Sequence, residues 1–542
     1  MSDDSPSQSF TEVEGMEEEE ERPLDADAFL ESLGRLSGFQ ALTIAYVLCL
    51  SWFIYVNQYM TGAFFAATPP FLCASGSNSQ GFRFANDSTS TDKCVAATAD
   101  GARMKCGWND TYFEFETSSF GDTVVSEFEL VCSMRQASKL GIVGFSLGSV
   151  IGMMVGTSLS DEFGRRTTFV GATWLLIASA VLTPLSPNHV VFVILRCSAG
   201  IACAALQGVG WVLACETFSK RNRHALSMMA QASCSAGYCA AGVVAYFFPN
   251  WRQLLWTCSL PIAVYLGAYW FVPESLHWLI AHNRPQEARR LMSRMKREKL
   301  STKAETLALE EKPEPTVRPA RRTDRKVSSL SFVGAFTHRL TFSYMLLWSV
   351  VLFVDNFVYY AMSLASAELS SQRHLGFVLS GLCELPGPIL ATFLLSSLGR
   401  RATSALVRLT ALLLLVAILC FHDSSGAPIR MALWLALKPV VMMIFTAANT
   451  WLPETMPTSN RNFTFGFAFA CGNAGVLLAP QVLIFLEDWP HGFPLLCACL
   501  LSVSVLASAF FPETRGHSLP GTVDDVRRGR CLKLLCPSRR QS

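Results

Sequence analysis

The sequence predicts an all-α membrane protein in which one six-helix unit is built twice. Three observations carry this. Of 542 residues, 51% are hydrophobic and only 16% are charged, where a soluble chain carries about a quarter charged residues. The apolar residues fall into twelve blocks centred near residues 50, 148, 177, 203, 236, 262, 351, 385, 411, 441, 474 and 500, each long enough to cross about 30 Å of hydrocarbon as a helix. Finally, three short motifs recur in the same order. Gly164-Arg165-Arg166 returns as Gly399-Arg400-Arg401 (offset 235), Glu216 with Arg223 as Glu454 with Arg461 (offset 238), and Pro273-Glu274-Ser275 as Pro512-Glu513-Thr514 (offset 239). A period this long exceeds any solenoid repeat and marks a duplicated half.

In chain order, an acidic tail at 1–38, with a glutamate run from Glu17 to Glu21, precedes the first block and is too polar for a signal peptide. The first half spans 39–272 and carries a long polar loop at 67–136. A polar central loop, 273–340, opens with an amphipathic stretch from Gln286 to Lys299 and ends Pro-rich and basic. The second half spans 341–511, and a basic tail follows at 512–542. Lys and Arg cluster at Arg165-Arg166, Lys220 to Arg223, 284–326, Arg400-Arg401, Arg461 and Arg527 to Lys533. With twelve alternating helices all of these fall on one side, which the positive-inside rule makes the cytoplasm, together with both termini. Loop 67–136 then faces outward. A net charge of +2 implies no nucleic-acid partner; the expected partners are the lipid bilayer and a small solute.

Eighteen cysteines divide by position. Most lie in apolar blocks and read as buried thiols. Cys73, Cys94, Cys106 and Cys132 fall in the outward loop, where two disulfides are expected in one of three pairings. The same loop holds the glycosylation sequons at Asn86 and Asn109. The sequon at Asn462 opens a helix on the cytoplasmic side and is expected to stay bare. Cys531 and Cys536 are candidate palmitoylation sites, and Ser328 and Ser329 candidate phosphorylation sites, in segments whose favoured reading is a solvated tail and linker.

Gly144-Phe145-Ser146-Leu147-Gly148 matches the nucleophile elbow of serine hydrolases, but that elbow needs a strand-turn-helix setting and here lies inside an apolar helical block. The spacing Gly144, Gly148, Gly152, Gly156 instead predicts a bare ridge for close helix packing. With no Walker loop, dinucleotide fingerprint or metal-ligand spacing, neither an enzyme nor a bound cofactor or metal is expected.

Gly156-x4-Asp161-x2-Gly164-Arg165-Arg166 resembles the signature loop of the major facilitator superfamily. Cys106-Gly107-Trp108 with Ser126 to Cys132, Pro273 to Leu279, Pro457-Thr458-x2-Arg461 and Pro512 to Pro520 narrow the resemblance to the organic cation, anion and zwitterion (carnitine) branch of the solute carriers, over about residues 28–525. The resemblance implies two pseudo-symmetric six-helix bundles with one central site opened alternately to either side of the plasma membrane. It leaves the coupling ion, sodium or proton, open. An alternative is a receptor or scaffold that keeps the fold without transporting. Three departures stand out: Glu162 where the branch has arginine, Ser396 where the second copy should carry an acid, and Leu276-His277 where Pro-Arg is usual.

Two sets of candidate residues follow. Asp161, Arg165, Arg166, Glu216, Arg223 and Glu274, with Arg400, Arg401, Glu454, Arg461 and Glu513, are expected to latch the cytoplasmic seam between the halves. For the substrate, an uncompensated charge at the bilayer centre costs about 2.5–3.5 kcal/mol on insertion scales, so Arg196, Asp355, Glu384 and Lys438 inside apolar blocks are the sharpest candidates. Asp355 with Tyr359 and Tyr360 suits an organic cation, each ring adding about 0.5–2 kcal/mol; equally, Asp355 pairs internally with Lys438 or Arg196. Glu384, just before Pro386 and Pro388, faces the cavity or satisfies freed backbone groups. Asn473 lies where cation-carrying relatives have an acid and several anion or carnitine carriers an arginine. Asn57, Gln58, Gln207, Trp211, Gln231 and Tyr238 complete the candidate lining, or form ordinary interhelical hydrogen bonds.

Overall fold

A computed structural model describes residues 26, 29–30, 38–75, 94–97, 103–105, 111–116, 121–218, 223–300, 339–366, 373–421, 427–456, 461–486, 489 and 491–515. The first half contains helices Gly38–Phe65, Leu140–Phe163, Arg165–Leu182, His189–Thr217 and Arg223–Phe247, and a sixth at 251–271. The second half contains Arg339–Ala365, Arg373–Ser397, Arg400–Cys420, Ala427–Thr455, Arg461–Phe485 and Gly492–Ser508. These are called here the first to twelfth helices. Ten spans among the described residues meet a strict length and hydropathy standard for crossing a membrane. The fifth helix falls outside that set because it carries Ser227, Gln231 and Ser235, all buried against other helices rather than lipid. The twelfth is apolar but 17 residues long.

The glycine ridge does what its spacing predicts. A Cβ on Gly148 would stand 2.0 Å from the Cys197 carbonyl oxygen, and one on Gly152 2.2 Å from that of Ile201. The second and fourth helices therefore touch backbone to backbone, an approach a side chain forbids. Ser146 is fully buried and donates to the Ile142 carbonyl at 3.0 Å within its own helix, with none of the exposure a nucleophile needs.

The repeated turns also have a steric cause. Gly164 (φ 99°) and Gly399 (φ 91°) adopt left-handed backbone, and a Cβ on either would strike the carboxylate of Glu274 or Glu513. Each glycine lets a glutamate cap the next helix. Glu274 accepts the Arg165 amide at 2.8 Å, and Glu513 accepts those of Arg400 and Arg401, both at 2.9 Å.

Within the loop at 67–136, the described residues include two paired sets of strands. Strand β1 (Phe71–Ser75) pairs antiparallel with β4 (Thr111–Phe115), and β2 (Val95–Ala97) with β3 (Arg103–Lys105). Cys94 and Cys132 form a disulfide, which selects one of the three pairings. The side chains of Cys73 and Cys106, and both Asn86 and Asn109, lie outside the described residues. Glu127 anchors the loop to the sixth helix, accepting the Trp251 indole at 2.6 Å and pairing with Arg252.

At the other end, helix Leu276–Ala281 and the expected amphipathic helix, Pro285–Leu300, cover the first half. Ala26 and Leu30 of the N-terminal segment are buried in clusters with Leu279, Ala288 and Met295 of these helices. The tail is thus not solvated throughout.

Candidate functional site

A cavity lies where the halves meet. The first half contributes Trp52, Tyr55 and Val56 of the first helix, Gln207 of the fourth, and Gln231 and Cys234 of the fifth. The second half contributes Asn356, Tyr359 and Tyr360 of the seventh helix, Met442 and Phe445 of the tenth, and Phe469 and Asn473 of the eleventh. Helices one, four and five thus meet their repeat counterparts seven, ten and eleven. The wall is aromatic with four primary amides, and no ionised side chain belongs to it.

The halves touch on both sides of this cavity. Toward the loop end, Phe64 stacks on His374 with ring centroids 5.1 Å apart, Arg373 donates to the Ala63 carbonyl at 3.3 Å, and Tyr238 bonds Ser366 Oγ at 2.8 Å. Toward the repeated turns, Trp211 stacks on Phe465 at 6.0 Å, and Thr450 donates to Ser227 at 3.1 Å. Level with the cavity, Tyr55 donates to Asn473 Oδ1 at 3.2 Å, and Tyr59 meets Tyr360 edge-to-face at 4.5 Å.

Of the residues the sequence singles out, Tyr359, Tyr360, Asn473, Gln207 and Gln231 line this cavity. Trp211 lies outside the wall, between Trp52 and Phe465. The expected alternatives for Asp355 both give way to a third. Its partner is Arg408 of the ninth helix, at 2.6 Å, with Ser504 donating to its other oxygen at 2.9 Å. Asp355 does not line the cavity. Glu384 and Lys438 pair with each other at 3.3 Å, and both are buried. The eighth helix breaks at Leu385 between Glu384 and Pro386, as the prolines implied.

Arg196 donates to the Gln58 carbonyl at 2.7 Å and lies between the rings of Phe65 and Phe145. Asn57 and Tyr238 also lie outside the wall. The missed wall residues Trp52, Tyr55 and Val56 have a legible signal. They sit at i, i+3 and i+4 on one helical face, whereas Asn57 and Gln58, chosen for polarity, point elsewhere.

The expected latch resolves into two clasps, one inside each half. Arg165 bonds Glu216 through Nε and Nη2, both at 3.1 Å, and Asp161 at 2.9 Å, tying the ends of the second, third and fourth helices. Arg400 grips Glu454 through the same two nitrogens at 3.0 and 2.9 Å. Arg166 and Arg401 reach back to carbonyls of Tyr269 and Ala509. Ser396, in place of an acid, donates to its own helix at the Phe393 carbonyl. None of these contacts crosses between halves. The side chains of Arg223 and Arg461 lie outside the described residues. Among the described contacts, these clasps tie helix ends together within each half.

The comparisons agree with this architecture. The sugar (and other) transporter family matches residues 45–522. Relatives include solute carrier family 22 member 7 of Mus musculus, 28% identical over 78% of this chain and 77% of its own length. The organic cation transporter protein of Drosophila melanogaster is 25% identical over 92% and 94%. Solute carrier family 22 member 1 of Bos taurus is 27% identical over 93% of each. The proton:xylose symporter XylE shares the fold at a TM-score of 0.63 and 14% identity, covering 91% of this chain and 99% of that one. These relatives are transporters, not enzymes, and the organic-ion resemblance read from the motifs agrees with them. The chain belongs to the sugar (and other) transporter family and is a multi-pass membrane transporter of the major facilitator fold.

Proposed function

We propose that this protein carries small organic ions, cations or carnitine-like zwitterions rather than anions, across the plasma membrane by alternating access, with both termini cytoplasmic. The observation that carries the reading is the wall of the central cavity: six aromatic rings and four neutral amides, with no ionised group among them. Ring faces attract a desolvated ammonium by about 2 kcal/mol, and amides orient polar groups without fixing a sign of charge. The names of relatives such as the organic cation transporter protein support the same substrate class. Tyr359, Tyr360 and Asn473 touch the substrate in this reading. The clasps around Arg165 and Arg400 keep each half rigid while the halves rock, and the cross-half contacts on either side of the cavity break in turn. The test is uptake of labelled carnitine and tetraethylammonium into expressing oocytes. Saturable uptake of either supports transport. Absence of uptake of any organic ion, with protein at the surface, overturns it in favour of a receptor.

A further inference from the structure

Among the described residues, the second half holds two buried ion pairs, and they are built differently. Arg408 uses its donors inside the half: Nε on Ser504 at 3.0 Å, Nη1 on Ser404 and Nη2 on Asp355. None of these residues lines the cavity. The pair of Glu384 and Lys438 lies one side chain behind the cavity wall. That side chain is Tyr359, whose ring lines the cavity and whose hydroxyl donates to Glu384 Oε2 at 3.1 Å. Lys438 Nζ lies 5.3 Å from the centroid of the same ring. It reaches Glu384 Oε1 at only 3.3 Å, longer than the about 2.7–2.9 Å of a close charge-assisted bond, while its nearer partner is Ser363 Oγ at 2.7 Å. On another side Nζ stands 5.0 Å from the ring of Tyr238, a first-half residue. The pair is thus loosely closed, shielded by one tyrosine, and next to the seam between the halves.

We propose that Glu384 and Lys438 recognise substrate charge, and that the favoured substrate is a zwitterion whose two charges replace those of the internal pair. This rests on the transport reading above. In a buried site a lone charge is penalised steeply and a matched pair far less. A simple cation that reached Glu384 would strip the carboxylate from Lys438 and leave a buried ammonium without a counter-charge. A simple anion at Lys438 would do the same to Glu384. A molecule carrying both an ammonium and a carboxylate brings one charge for each partner, so no charge is uncompensated before or after binding. Tyr359 acts as the shutter. Displacing its ring opens both charges to the cavity, and its face and that of Tyr360 remain to cover the ammonium. The neutrality of Asn473 then has a purpose, since an acid there would favour cations alone.

The test uses three isosteres in expressing oocytes: carnitine, its carboxamide (a cation) and the monoanion in which a quaternary carbon replaces nitrogen. Uptake is normalised to surface protein in the wild type, Glu384→Gln, Lys438→Gln and the double variant. Wild type should favour the zwitterion over either monovalent ion by at least about tenfold, equal to about 1.4 kcal/mol. Lys438→Gln should raise the cation-to-zwitterion ratio about tenfold, and Glu384→Gln the anion-to-zwitterion ratio similarly. The double variant should lose discrimination among the three. Parallel loss of all three substrates in both single variants, or unchanged ratios, overturns the proposal. Should the single variants miss the surface, the neutral double variant and the wild-type trio decide. A wild type that carries the cation but rejects the zwitterion overturns this inference alone. Uptake of no organic ion overturns the transport reading with it.

Discussion

The Tyr55 hydroxyl donates to Oδ1 of Asn473 at 3.2 Å, a bond that joins the first helix of one half to the eleventh helix of the other at the level of the cavity. Asn473 Nδ2 in turn donates to the Ser149 carbonyl at 3.4 Å. A primary amide serves both roles, one as acceptor and one as donor. We predict that Asn473→Asp keeps the Tyr55 bond, loses the one to Ser149 and adds a negative charge to the cavity wall. The cation-to-zwitterion uptake ratio should rise about tenfold, a shift of about 1.4 kcal/mol. Uptake of matched substrates at equal surface expression checks this, and an unchanged ratio would remove Asn473 from the site.

Asp355 yields a prediction opposite to the one its sequence invites. Its carboxylate is fully occupied by Arg408 and Ser504 and lies off the cavity. Removing one member of a buried pair costs about 3–5 kcal/mol, whereas replacing both by apolar residues is often neutral. Asp355→Asn should therefore lower the melting temperature in detergent and the surface level, without changing substrate ratios. Asp355→Leu combined with Arg408→Met should restore most of the melting temperature. A selective loss of cation uptake by stable Asp355→Asn protein would place the residue in the site after all.

These two residues show what the sequence carries and what it does not. Twelve blocks, the doubled motifs and the glycine ridge are local or periodic signals, and each maps onto an observed helix, turn or contact. Asn473 is legible because a motif fixes its register, and Tyr359 because it stands in the same block as an intramembrane acid. Charge pairing is not local. Asp355 meets Arg408 across 53 residues and Glu384 meets Lys438 across 54, so which acid takes which base depends on helix rotation, not spacing. The pairings inside the clasps are illegible for the same reason. The motifs mark the helix ends, but only the packing says that Arg165 takes Glu216 as its partner. Tyr55 was passed over because an aromatic ring inside an apolar block carries no polar signal.

The ridge on the second helix predicts a sharp contrast between two glycines. A Cβ on Gly148 would lie 2.0 Å from the Cys197 carbonyl oxygen, while one on Gly171 of the third helix meets nothing within 4 Å. Gly148→Ala must push the second and fourth helices apart, an overpacking cost of about 1–3 kcal/mol or more. Gly171→Ala removes backbone entropy from the unfolded chain and should gain about 0.5–1 kcal/mol. Melting temperatures of the two variants in detergent should therefore move in opposite directions.

Ser396 is the one missing acid in the repeat, and restoring it tests the clasp. Asp161 pairs with Arg165 four residues later at 2.9 Å. Ser396 stands the same four residues before Arg400, exposed at the helix end. Ser396→Asp should add an i,i+4 pair worth about 0.3–0.5 kcal/mol. The reverse change, Asp161→Ser, should cost more, because Arg165 is the more deeply buried arginine, at 7% side-chain exposure against 19% for Arg400. Thermal unfolding of the two variants side by side reads the sign and the order.

Glu513 links the second clasp to pH. Partial burial pushes its carboxyl upward, but amide donors from Arg400, Arg515, Arg401 and Thr514 outweigh burial and hold it below the usual glutamate range. A group whose folded pKa lies below its unfolded value of about 4.3 binds protons more readily when unfolded. Its stabilisation is complete above that value and is lost as pH falls through the folded pKa. The melting temperature of wild-type protein in detergent should therefore drop between pH 5 and lower pH by more than that of Glu513→Gln, which cannot ionise. At pH 7 the order is set by charge, and Glu513→Gln should be the less stable protein because a neutral amide is a weaker acceptor for the N–H groups of Arg400, Arg401, Thr514 and Arg515. Parallel acid limbs for the two proteins would show that Glu513 does not couple the clasp to pH.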